Sequence, residues 1–137
     1  MEEADPFTGT WVYVREKSSS TGPTLERWIQ HIDATAEILR VREEVIVATG
    51  QRANVSLEAK FDGYDYPVTG SSLCESIAYT RPTPRQIFGK GKKNGGVTVR
   101  ETIFASDDGL TLTLTYAVFA SEREIMSGVA VFQRGSS

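Results

Sequence analysis

The side chains able to do chemistry are few, and most are tyrosines. Tyr13, Tyr64, Tyr66, Tyr79 and Tyr116 are spread along 137 residues, each with a ring for packing and a hydroxyl for one directed hydrogen bond. His31 is the single histidine. An imidazole, with its unperturbed pKa of about 6.5, suits proton transfer, so His31 is a candidate acid or base beside the plainer reading of a surface or satisfied core histidine. Glu101 shares a period-2 face with Val97, Val99 and Ile103. A carboxylate on such a face is costly unless it is paired; Arg15, Arg81 or a tyrosine hydroxyl could serve it, and the alternative is a register break that exposes it. Tyr13, Tyr116, His31 and Glu101 are therefore the candidate catalytic groups.

Other chemistries lack their residues. One cysteine, Cys74, allows no internal disulfide, and one cysteine with one histidine cannot build the usual zinc site. GKGKKNGG (89–96) has the composition of a phosphate loop but lacks the Gly-Lys-Ser/Thr ending and a following helix, so it reads as a lysine-rich hairpin tip. No metal and no cofactor is expected. A net charge of −3 argues against a nucleic-acid partner. No apolar run approaches the roughly 20 residues of a membrane helix, so no membrane partner is expected. The opening MEEADPF has neither a basic nor an apolar leader segment, which predicts a cytoplasmic protein. A homodimer is left open.

The elements that must position these groups are strands. Runs rich in Val, Ile, Thr, Tyr, Phe and Trp occupy residues 8–15, 26–33, 37–47, 52–61, 75–81, 85–92, 97–105, 110–120 and 125–134, with a shorter piece at 64–68. Residues 34–45 are the best helix candidate, but β-branched residues dominate their second half and favour strand. Asp62-Gly63, Asn94-Gly95 and Asp108-Gly109 supply tight turns, and Arg81-Pro-Thr-Pro84 separates two further strands. Ser18–Pro23 reads as a loop that could cross a barrel mouth. The pattern predicts one all-β domain over residues 1–137, an up-and-down antiparallel barrel of about eight to ten strands, closed because closure removes exposed edges. Such a barrel can hold one small ligand.

Gly9-Thr10-Trp11 resembles the G-x-W signature of lipocalin and wider calycin barrels. DPFTGTW (5–11), AKFDGYDYPVTG (59–70), SDDGLTLT (106–113) and VAVF (129–132) are together similar to a family of small uncharacterised bacterial lipocalin-like proteins. The resemblance implies a small barrel with an internal cavity and no particular chemistry. It also implies that Trp11 packs inside near the closed end. Two departures stand out: relatives usually carry a secretory leader, and their second strand is not built like ERWIQHI, with Trp28 and His31.

Alternation then assigns the lining. Tyr13 and Arg15 share the face of Trp11. Leu57 and Phe61 lie on one face with Val55 and Ala59, and Leu114 and Tyr116 lie with Leu112 and Val118. In the second strand either Trp28, Gln30 and Ile32 point inward or Ile29 and His31 do; the first buries more apolar area and leaves His31 outside. The expected substrate-binding set is Trp11, Arg15, Trp28, Leu57, Phe61, Tyr79, Leu114 and Val129. The expected partner is a hydrophobic small molecule. Two functions fit such a lining: a cofactor-free cyclase or isomerase of a polyketide-like substrate, which the polar groups favour, and a passive lipocalin-like carrier, which the fold resemblance favours. A cavity below roughly 300 Å³ would favour a third, an interaction module with a filled interior.

Overall fold

Period-2 patterning over nearly the whole chain produces strands over nearly the whole chain. The computed structural model describes residues 5–23 and 25–135, so residues 1–4 of the acidic opening lie outside the described part. The strands are β1 (Gly9–Tyr13), β2 (Ser19–Ser20), β3 (Leu25–Ala34), β4 (Ile38–Val47), β5 (Arg52–Lys60), β6 (Tyr66–Thr69), β7 (Ser76–Thr83), β8 (Gln86–Lys93), β9 (Gly96–Ala105), β10 (Thr111–Ala120) and β11 (Arg123–Gly135). From β3 to β11 successive strands pair antiparallel; β1 pairs with β3 on one side and with β11 on the other, closing the ring. β1 and β2 lie along the same edge of β11 and form one broken stave, so the barrel has ten. The closed all-β barrel expected from the sequence is the observed fold.

The break in the first stave corrects the expected strand 8–15. β1 ends at Tyr13, and Arg15–Lys17 form a 3₁₀ turn before β2. Side-chain hydroxyls splice the gap. Ser18 Oγ accepts a hydrogen bond from Val131 N–H (2.8 Å), and Thr21 Oγ1 accepts one from Ser127 N–H (2.9 Å). These two β11 amides would otherwise lack a ladder partner on this side.

One end is plugged. Trp11 and Phe7 are fully buried, and the Trp11 indole N–H donates to Phe7 C=O at 2.9 Å. The Arg134 guanidinium lies 4.3 Å from the Trp11 ring and donates to the carbonyls of Thr8 and Gly109. Gly9 stands beneath it at φ +147°, where a side chain would collide with that guanidinium, which explains the glycine of G-x-W. Arg81 completes the floor. It pairs with Asp5 at 2.8 Å, donates to Thr35 and Pro84 C=O, and lies over the rings of Phe7 and Phe61.

The three expected Xaa-Gly turns are present, whereas the expected break at 81–84 comes later, since β7 runs on to Thr83 and the chain turns at Pro84-Arg85. Gly63, Asn94, Gly95 and Gly109 all have positive φ. The β10–β11 turn is different: Ser121 and Glu122 have φ +51° and +66° with no glycine to relieve them.

Candidate functional site

The upper part of the barrel encloses a cavity of about 390 Å³. That exceeds the size at which a filled interaction module would be preferred. Its walls are the inward faces of β3, β4, β5, β7, β9 and β10, and its mouth is bordered by Pro23, Leu25, Leu73 and Met126. Most of the surface is Val, Leu and Ile. The polar groups gather in two places.

The first is on β9, β7 and β8. Strict alternation turns Val99, Glu101 and Ile103 inward. The Tyr79 hydroxyl donates to Glu101 Oε1 at 3.2 Å. Gly89, paired with both Tyr79 and Glu101 across β8, makes the meeting possible. A Cβ there would stand 2.8 Å from Tyr79 Cε1 and 2.9 Å from Glu101 Cγ and Oε1. Gly91, two residues on, leaves similar room for the buried Cys74 thiol. GKGKK is therefore an inner wall of glycines with its lysines outside, and the hairpin tip proper is Asn94-Gly95.

The second is on β4 and β3. Leu39, Val41, Glu43, Val45 and Val47 all face the hollow. Glu43 Oε1 accepts the Trp28 indole N–H at 2.9 Å and the Gln30 amide N–H at 2.6 Å. The Trp28 ring is held edge-on to Phe132 at 4.9 Å, and Tyr13 packs 5.9 Å from both.

Both carboxyls retain a little open surface, but that surface faces the hollow rather than bulk water. Burial accordingly pushes Glu101 from its ordinary 4.5 up to about 7; the Glu43 charge adds to the rise and the Tyr79 hydrogen bond opposes it. Burial also raises Glu43, against the Trp28 and Gln30 hydrogen bonds. Tyr79 is pushed well above the usual phenol value by burial and by the Glu101 charge, so it stays a hydroxyl donor. A carboxyl poised near neutrality can both take and return a proton at physiological pH.

The structure gathers some of the expected residues and scatters others. Glu101, Tyr79, Tyr116, Trp28, Leu57 and Leu114 line the cavity. The Tyr116 hydroxyl lies toward the mouth, bonded to Ser20 Oγ at 3.0 Å. Tyr13 points inward but is spent on packing, and Trp11 and Phe61 belong to the floor. None of these three lines the cavity, and three further placements correct the expectation. Arg15 is exposed, because the chain leaves the strand before it. His31 lies on the outer face, between Thr10 Oγ1 and Glu44 Oε2, each at 3.3 Å, because Gln30 and Ile32 take the inward positions. Val129 pairs with Thr115 on the outer face, since its neighbour Ala130, opposite Leu114, is the inward one. Glu43, Gln30 and Gly89 were not anticipated as site residues. The signal for Glu43 was the same alternation that revealed Glu101.

No family model matches the chain, and no curated protein matches it. Five solved chains are similar in shape, two of them as follows. A redesigned β-barrel, mFAP1, bound to DFHBI, matches over 94% of this chain and 95% of its own, with TM-score 0.51 and 12% identity. EF1p2_mFAP2b bound to DFHBI matches over 95% and 94%, with TM-score 0.52 and 12% identity. At that identity the likeness shows the fold, a closed β-barrel consistent with a lipocalin-like architecture.

Proposed function

We propose that the barrel holds one apolar small molecule in its hollow and moves a proton on it, working in the cytoplasm as a cofactor-free isomerase or cyclase of a carbonyl-bearing, polyketide-like substrate. The observation that carries this reading is the Glu101–Tyr79 pair inside an otherwise apolar cavity. A carrier for a neutral ligand gains nothing from a buried carboxyl, whose desolvation costs stability. An acid–base catalyst requires one, tuned toward working pH.

In this reading Glu101, as carboxylate, takes a proton from a carbon next to the substrate carbonyl, and the electron pair moves onto the carbonyl oxygen. A hydroxyl or indole donor on the wall stabilises that oxygen. Where a double bond is conjugated to the enolate, the carboxylic acid returns the proton to its far carbon; otherwise the enolate carbon attacks a second carbonyl of the same chain and the carboxylic acid protonates the alkoxide that forms. The apolar walls hold a flexible substrate in a reactive conformer and keep water out.

A second reading, passive carriage, is favoured by the apolar walls and by the two barrels of similar shape that are bound to DFHBI. One experiment separates the two. Native mass spectrometry of protein isolated from its own host identifies a molecule that travels with it. Incubation of that molecule in D₂O leads to deuterium uptake with the wild type and none with Glu101→Gln. Binding without exchange in either protein leaves carriage and removes catalysis.

A further inference from the structure

The cavity carries negative charge that nothing in it answers. Of the 15 Lys and Arg in the chain, none lines the hollow among the described residues. Arg81, the nearest in the expected scheme, is committed to Asp5 at the floor. Each carboxyl is bonded through one oxygen: Glu43 Oε1 to Trp28 and Gln30, Glu101 Oε1 to Tyr79. No donor among the described residues reaches the second oxygen of either, and neither oxygen is among the sealed-off unpaired atoms, so both open on the hollow. The other titratable groups facing Glu101 are Tyr79 and Cys74 beside β7 and β8, Glu43 across the cavity, and Tyr116 next to it on β10. None of them supplies a cation. Trp28, Tyr79 and Tyr116 add aromatic rings to the lining.

We infer that this cavity selects an apolar amine, its ammonium seated between the free oxygens of Glu43 and Glu101 and its hydrocarbon along the Val and Leu walls. The inference rests on the reading that the hollow holds a small molecule, and it narrows the class of that molecule. A neutral guest does nothing to offset the cost of ionising either buried carboxyl. A carboxylate guest adds a third negative group. A protonated amine relieves both carboxyls at once through charge-assisted hydrogen bonds. A metal ion is a poorer match, because it needs more oxygen or nitrogen ligands than two carboxyls supply, and no group of three or more His, Cys, Asp or Glu is found among the described residues. The roles of the two acids then differ. Glu43, fixed by two N–H donors, is the standing counter-ion, and Glu101, held by the Tyr79 hydroxyl alone, gives up its proton as the ammonium binds.

Calorimetry of the full chain with octylamine, octanol and octanoate at pH 7.5 tests this. Octylamine is expected to bind about tenfold tighter than octanol, and octanoate about tenfold weaker. In the Glu43→Gln/Glu101→Gln double variant the three converge to within about threefold. As a check that needs no variant, octylamine binding near pH 7 should release protons, seen as a buffer-dependent heat, because the ammonium favours ionised Glu101; octanol should release none. Octanol binding with no preference for the amine, or a preference that survives the double variant, overturns the inference and leaves the cavity reading standing. Failure of all three to bind removes both.

Discussion

Glu101→Gln should make this protein more stable at pH 8. The carboxyl titrates at about 7 in the folded barrel and at about its ordinary 4.5 when the chain is unfolded. Between these values the unfolded chain has lost the proton while the native state retains it, so unfolding releases a proton and stability falls as pH rises. Below about 4.5 both states are protonated and the group is neutral to stability. Above about 7 both are ionised and the full penalty is present. At about 1.4 kcal/mol for each pH unit of separation, that penalty is about 3 kcal/mol. Glutamine keeps the shape and an oxygen acceptor for the Tyr79 hydroxyl, and it cannot ionise. Urea unfolding of both proteins at pH 4.5, 6, 7 and 8 measures the difference directly. The variant should gain nothing at pH 4.5 and about 2–3 kcal/mol at pH 8, with most of the change between pH 5 and 7. A gain that is constant with pH would mean that glutamine merely packs better. A variant less stable at pH 8 would mean that the carboxylate has a compensating partner, and the account of the cavity given above would fail.

Further outcomes follow from the same geometry. Gly89→Ala drives a methyl between Tyr79 and Glu101, so it should cost about 1–3 kcal/mol in urea unfolding and, by loosening the Tyr79 bond that holds Glu101 down, move the Glu101 carboxyl titration followed by ¹³C NMR to higher pH. Ser121→Asn with Glu122→Gly places turn residues where both φ values are positive; thermal unfolding should show a gain of about 1 kcal/mol. Arg81→Ala strands Asp5 and leaves Thr35 and Pro84 carbonyls without their donor, for a loss of about 3 kcal/mol. His31→Gln, on the outer face, should leave octanol and octylamine affinities unchanged by calorimetry; a loss of either would return the histidine to the site.

Much of this was legible because a half-buried barrel strand writes its inward face into every second residue. Val99-x-Glu101-x-Ile103 points to an inward carboxylate, and burial area favours Trp28 inward and His31 out without deciding it, which keeps His31 among the catalytic candidates. The misreadings have separate physical causes. Arg15 continues the alternation of Trp11 and Tyr13, but alternation does not say where pairing stops, and here Ser18 and Thr21 hydroxyls replace strand backbone. Val129 and Val131 look more buriable than Gly128 and Ala130, yet the smaller pair faces inward. Glu43 was obscured by its setting: in Arg42-Glu43-Glu44 a charge run looks solvated, although the flanking Leu39, Val41, Val45 and Val47 place it inside. The Tyr79–Glu101 partnership depends on β7–β8–β9 register across Gly89, a non-local relation that single-strand patterns do not contain.

The broken first stave has a mechanical consequence. Near the floor, β1 is laced to β11 by four register pairs, under the Trp11–Arg134 stack. At the rim, two register pairs and a few serine and threonine hydroxyls do the same work. The barrel is thus more densely bonded at its base than along one seam of its lip. Parting the barrel along that seam therefore breaks fewer bonds than parting it beside the Trp11–Arg134 cap.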